Sequence, residues 1–180
     1  MKSAYSLKID SVNRIATGQD LKLSIGKRSI KITIFLFLGL WCLGFTYASL
    51  FPQSKMIVLY PLVKQFYSTV CHQVAYKSIE INGFNFLVCA RCSGIYFGGL
   101  LSSIIFLFFS VPYSLKINYI FIAAIPMAAD VILYSIGIYS YSKIIALATG
   151  FLFGFVVVSF ILFSIENFLL KENTRINELA

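Results

Sequence analysis

Charge is scarce in this chain. Only 12% of its 180 residues are charged, and the seven Asp and Glu are outnumbered by fifteen Lys and Arg. An ordinary soluble domain carries about 25% charged and about 45–50% apolar residues; here 59% are hydrophobic and the mean hydropathy is +0.85. A globule of this length buries only about 70% of its unfolded surface, too little to hide so many Phe, Ile and Leu. A soluble globular enzyme, a disordered tail and a nucleic-acid-binding module are therefore excluded, despite the net charge of +8. Lipid is the missing solvent. No Walker loop, GxSxG elbow, HExxH pair or dinucleotide fingerprint occurs. The single histidine, His72, could act as a general base only with partners that no motif supplies.

The apolar runs predict an all-α membrane protein of four transmembrane helices. Ile32–Phe51, Ser93–Leu115 and Ile144–Ile165 hold no charge, and Ile117–Ser142 holds only Asp130. A helix needs about 20 such residues to cross about 30 Å of hydrocarbon, and the spans are placed near 32–51, 87–110, 117–138 and 144–168. Lys2, Lys8, Arg14, Lys22, Lys27, Arg28 and Lys31 precede the first span, which predicts an N-in/C-in arrangement. Residues 1–31 read as a flexible basic cytoplasmic leader, with a short membrane-surface helix around Leu21–Ile25. The membrane domain is 32–170, and 171–180 is a cytoplasmic tail. The long polar leader favours an uncleaved anchor over a signal peptide. The basic excess is explained by topology and anionic lipid.

The outer loop, 52–86, carries two elements. Leu59, Leu62, Val63, Phe66, Tyr67, Val70 and Val74 recur at three- and four-residue steps, with Lys64, Gln65, Ser68 and His72 on another face. That predicts an amphipathic interfacial helix, with Pro61 tolerated in its first turns. Asn82-Gly83 is the preferred pair of a two-residue hairpin turn, flanked by alternating Ile79, Ile81, Phe84 and Phe86. A turn centred there sets Glu80 opposite Asn85 and Tyr76 opposite Cys89. It would fold the Cys71-His72 region back onto the start of the second span.

Four cysteines are present. Cys42, inside the first span, reads as a packed apolar residue. Cys71, His72, Cys89 and Cys92 form a CH…CARC set, the Cys₃His chemistry of one zinc or other transition-metal ion. Cys89 and Cys92 share a helix face near an N-terminus, where the dipole and Arg91 favour thiolates. Cys71 and His72, about 100° apart on a helix, need not both bind. Two alternatives stay open: a disulfide with no cofactor, structural or redox-active, and free thiols beside a packing histidine.

The stretch CHQ, then KSIEINGFNFLVCARCSGIYFG, resembles the signature of the bacterial multi-pass membrane proteins known as domain of unknown function 2085. The resemblance runs from about Cys71 to Gly154. Lys77 stands where the family has Arg, Asp130 matches the family's Asp in the third span, and Lys143 and Ala146 replace its Asn and Arg. The resemblance implies a membrane location, here the bacterial cytoplasmic (inner) membrane, and a shared Cys/His centre. It implies no established activity.

Asp130 needs a partner or a proton in hydrocarbon, where its charge costs about 2.5–3.5 kcal/mol on insertion scales. Arg91, with Tyr96 or Tyr134, is the expected partner; a protonated Asp donating to a backbone carbonyl is the alternative. Pro126 and Gly137 are expected to bend the third span. Gly94, Gly98 and Gly99, and Ala146, Gly150 and Gly154, make small-residue stripes that predict close packing of spans two and four, or a homodimer. Three functions compete: an extracytoplasmic metal-binding membrane protein, a quinone-linked thiol oxidoreductase using Cys89 and Cys92 with Cys71 as resolving thiol, and a scaffold for membrane-protein partners. The lipid bilayer is the partner common to all three; nucleic acid is a partner of none.

Overall fold

The computed structural model describes residues 26, 28–47, 49, 59–81, 83–109 and 116–179, with side chains as far as Phe168. The expected leader and its surface helix at Leu21–Ile25, the Asn82 turn position, and the side chains of the 171–180 tail lie outside the described residues.

Four helices are long and apolar enough to cross a membrane: α1 (Arg28–Tyr47), α3 (Ala90–Phe108), α4 (Asn118–Ser135) and the first 26 residues of α5, Lys143–Phe168. Helix α5 continues to Leu179, 37 residues in all. Between α1 and α3 lie α2 (Leu59–Ser68), a 3-10 turn (Ala75–Lys77) and two antiparallel strands, β1 (Ser78–Ile81) and β2 (Phe84–Cys89).

Helices α3 and α5 make the closest contact. A Cβ at Gly94 would meet the Leu147 carbonyl, one at Gly98 the Phe151 carbonyl, one at Gly150 the Arg91 carbonyl and one at Gly154 the Ile95 carbonyl. The two glycine stripes thus face each other within one chain, backbone against backbone. Ser102 and Ser159 extend the contact with a buried hydroxyl–hydroxyl bond of 2.8 Å. Large side chains such as Leu40, Phe121, Ile125 and Ile144 point outward, where lipid replaces water as their neighbour. At the far end of the bundle Lys31 pairs with Glu166 at 3.2 Å, so α1 begins and the apolar part of α5 ends on one side.

Three expectations need correction. The second span starts at Ala90 rather than 87, because Phe86, Leu87 and Val88 are buried in β2. The hairpin register is 80↔85 and 81↔84 as expected, but Ser78, not Tyr76, faces Cys89. Between the pairs Ser78↔Cys89 and Glu80↔Asn85 the register shifts, because β2 spans four steps where β1 spans two, and Tyr76 falls in the 3-10 turn. Finally, Gly137 ends α4 rather than bending it. At φ +79 it supplies the left-handed residue of a Schellman cap: Gly137 N–H donates to the Tyr134 carbonyl at 3.0 Å and Ile138 N–H to the Leu133 carbonyl at 3.1 Å.

The glycine contact predicts a sharp asymmetry between substitutions. Gly98→Leu or Gly154→Val drives a side chain into the opposing backbone and is expected to abolish the folded monomer. Ile144→Leu, on the lipid side, is expected to leave it intact. Thermal unfolding of the detergent-purified chain distinguishes them.

Candidate functional site

Helix α2 is short and exposes Leu62 and Phe66, but it buries Tyr67. The Tyr67 hydroxyl donates to the Trp41 carbonyl at 2.9 Å and takes the space that a Cβ on Gly44 would fill. This fastens α2 to α1. One turn on, the Cys71 N–H donates to the Tyr67 carbonyl at 3.0 Å, turning Cys71 into the core. Gln73 then adopts a left-handed φ of 51°, uncommon for a residue with a side chain, and its amide donates to the Lys64 carbonyl at 2.8 Å. The reversal leaves His72 exposed.

Strand β2 delivers the other two thiols. It runs into α3 without a loop, so Cys89 is the extended N-cap of the helix and Cys92 sits in its first turn. N-cap and N3 side chains share the space around the free N–H groups of a helix start. The Cys89 N–H itself donates to Cys71 Sγ at 3.2 Å.

Cys71, Cys89 and Cys92 therefore converge: their three sulfurs lie within 4.8 Å of one another, and all three are free thiols. His72, expected as a fourth ligand, is exposed and is not part of this group. The Cys71 thiol is held well below the usual thiol range, first by hydrogen bonding with Cys89, then with Cys92, and further by the backbone N–H groups of Gln73 and Cys89; burial opposes the shift. A thiolate is the metal-binding and nucleophilic form of cysteine. Cys71, Cys42, Phe45, Tyr67 and Phe86 form the buried cluster behind the sulfurs, with Trp41, Cys92 and Tyr96 packed on it.

Beside the thiols lies a polar network. Arg91, between the two cysteines of the CxxC, pairs with Asp130 of α4, a residue only 4% exposed. The other Asp130 oxygen accepts a hydrogen bond from Tyr139, which the Schellman cap folds back over the end of α4. Tyr96 and Tyr134, expected to complete this pair, are engaged elsewhere. Tyr96 stacks near Trp41 and Phe45, with ring centroids 5.7 and 5.9 Å away, and Tyr134 meets the Tyr76 hydroxyl at 3.1 Å. Arg91 and Tyr139 thus hold one Asp130 carboxylate oxygen each.

A second cationic contact is absent from any motif. The Lys77 ammonium sits 4.7 Å from the Tyr134 ring centroid, 5.4 Å from Tyr76 and 5.5 Å from Tyr141. These rings clamp the loop between Cys71 and β1 to α4 and the segment after it. Burial pushes the Tyr141 phenol up to about 12, with Cys89 adding to the shift and Arg91 opposing it. Tyr141 also packs edge-on against Tyr76 and Tyr134, completing the Lys77 cage. Tyr139, Tyr141 and the cage were missed by pattern reading; the signal that could have exposed them is Gly137, a helix-ending glycine followed by Ile-Tyr-Ser-Tyr.

Residues 71–160, from the first clustered cysteine into the middle of α5, match the family described as predicted membrane protein (DUF2085). The chain belongs to this family. The chain is also similar to an uncharacterized protein of the archaeon Methanocaldococcus jannaschii, 42% identical over 99 residues. That match covers 53% of this chain and 64% of the archaeal protein, so the chain spans under two thirds of its relative's length. The similarity reaches beyond bacteria, and the bacterial label expected from the resemblance is too narrow. No solved structure matches.

The ion pair yields a prediction. Removing one partner of a buried pair costs about 3–5 kcal/mol, whereas replacing both by apolar residues is often neutral. Asp130→Ala alone is expected to lower the thermal midpoint strongly, and Arg91→Met with Asp130→Leu to recover most of the loss. For the cage, Lys77→Met is expected to raise hydrogen exchange across 75–81, and Lys77→Arg to restore protection, since a guanidinium also sits on aromatic faces.

Proposed function

We propose that this membrane protein binds one zinc-like transition-metal ion through Cys71, Cys89 and Cys92, and that the ion fastens the loop to the bundle or is passed to a partner. The observation that carries the reading is the convergence of three sulfurs, from two distant segments, within 4.8 Å. Thiolates around a tetrahedral zinc ion, at Zn–S of about 2.3 Å, stand about 3.8 Å apart, so these need move in by about 1 Å or less. When bound, the ion would supply a cross-link and a Lewis-acid centre. The protein's own contributions are the thiolate character of Cys71, the helix start at Cys89, and an aromatic wall of Trp41, Phe45 and Tyr96 that keeps water from one side.

The membrane is the cytoplasmic one in this reading. Seven of the fifteen basic residues precede α1, which favours an N-terminus inside and the thiols at the outer edge. The Lys31–Glu166 pair favours a C-terminus on the same side. Assembly with other membrane proteins through the glycine stripes is disfavoured, because α3 and α5 occupy those faces themselves.

A second reading draws on the same sulfurs. Cys71 is within reach of both Cys89 and Cys92, as a resolving thiol in a dithiol oxidoreductase would be. Two measurements separate the readings. Element analysis of the purified chain is expected to give about one metal per chain, lost in Cys89→Ser. Acid-trapped membranes are expected to show Cys89 and Cys92 reduced. Metal below about 0.2 per chain with a trapped Cys89–Cys92 disulfide would instead establish the redox reading.

A further inference from the structure

Resting on the three-cysteine metal centre proposed above, we propose that its fourth coordination position is open and is filled by a thiolate from outside the chain. The donor inventory carries this inference. Zinc and cobalt(II) in sulfur sites take four ligands, and the 180 residues contain only four cysteines and one histidine. Three cysteines are in the centre. Cys42 is buried in the aromatic cluster behind it and lies outside the group, and His72 is exposed and outside it too.

Carboxylates do not complete the set among the described residues. Both Asp130 oxygens are engaged, one by Arg91 and one by Tyr139. Glu166 is paired with Lys31 at the far end of the bundle, and Glu80 is exposed on the hairpin opposite Asn85. A closed structural site would have supplied its fourth ligand from within; three protein ligands plus an exchangeable position is the pattern of a reactive or transferring one.

The open side has a direction and a chemistry. Cys71 is buried, whereas Cys89 and Cys92 are half-exposed, so an incoming ligand meets the ion past these two. An all-sulfur set favours soft metals and soft additional donors. The Lys77 ammonium, on the same loop as Cys71 and 5.5 Å from the Tyr141 ring centroid, favours an anion over a neutral ligand. Binding is a ligand exchange: water leaves the ion, the thiol gives its proton to solvent, and one metal–sulfur bond forms with no change in oxidation state.

The test uses the full chain in detergent, reduced with a phosphine and loaded with one cobalt(II) per chain. The parent is expected to show thiolate-to-cobalt charge transfer. Added 2-mercaptoethanol should shift the visible bands and raise the charge-transfer intensity by about one third, as three sulfurs become four, saturating at one thiol per site. His72→Ala should titrate like the parent. A cysteine-bearing hexapeptide forms the second arm: a tighter response to it than to 2-mercaptoethanol assigns the donor to a protein, and a response to the small thiol alone assigns it to a metabolite. Bands that ignore both thiols, or that His72→Ala removes, would overturn the open position while leaving the centre standing. No charge-transfer band at all would overturn the centre itself.

Discussion

The junction at Cys89, where a strand becomes a membrane helix without an intervening loop, is the constraint on which the site depends. Because the chain is extended through Val88 and helical from Ala90, the Cys89 N–H is free of the helix ladder and donates to Cys71 Sγ. The same junction places Cys92 one turn away on the membrane side and Arg91 between them, aimed at α4. Sulfur cluster and ion pair are therefore two outputs of one backbone feature. A helix begun three residues earlier would present neither.

Tight packing below the junction keeps it in place. Helix α3 lies against α5 with glycine on both sides, so its height and rotation relative to α5 are set by backbone contact rather than by adjustable side chains. Arg91 fixes α3 to α4 through Asp130, and Tyr67 fixes α2 to α1. The loop that carries Cys71 is held at one end by Tyr67 and at the other by the Lys77 cage. A thiol donated from far along the chain can then meet a CxxC with little left to ordering entropy.

Much of this was legible in the residues. Uncharged runs marked the four spans, Asn82-Gly83 marked the hairpin, and a lone acidic residue in hydrocarbon pointed to Arg91. What escaped has physical reasons. A two-residue register shift, with the extra length on β2, is invisible to alternation, yet it moved Ser78 into the place expected for Tyr76 opposite Cys89. Adjacency in sequence did not carry over to the cluster: Cys71 is buried among the sulfurs while His72 beside it is exposed. Tyr139 and Tyr141 depend on chain reversal after Gly137, and Tyr134 and Tyr141 meet a Lys77 far away in sequence. Tyr134 and Tyr96 had plausible positions along their helices but belong to other neighbourhoods.

The central claim is that Cys71, Cys89 and Cys92 jointly hold a metal. X-ray absorption on the zinc-loaded, detergent-purified chain addresses it most directly. The account predicts a first shell with three sulfur atoms at about 2.3 Å, unchanged in His72→Ala and reduced by one sulfur in Cys71→Ser. A shell of nitrogen and oxygen alone, or a sulfur count indifferent to Cys71→Ser, would contradict it.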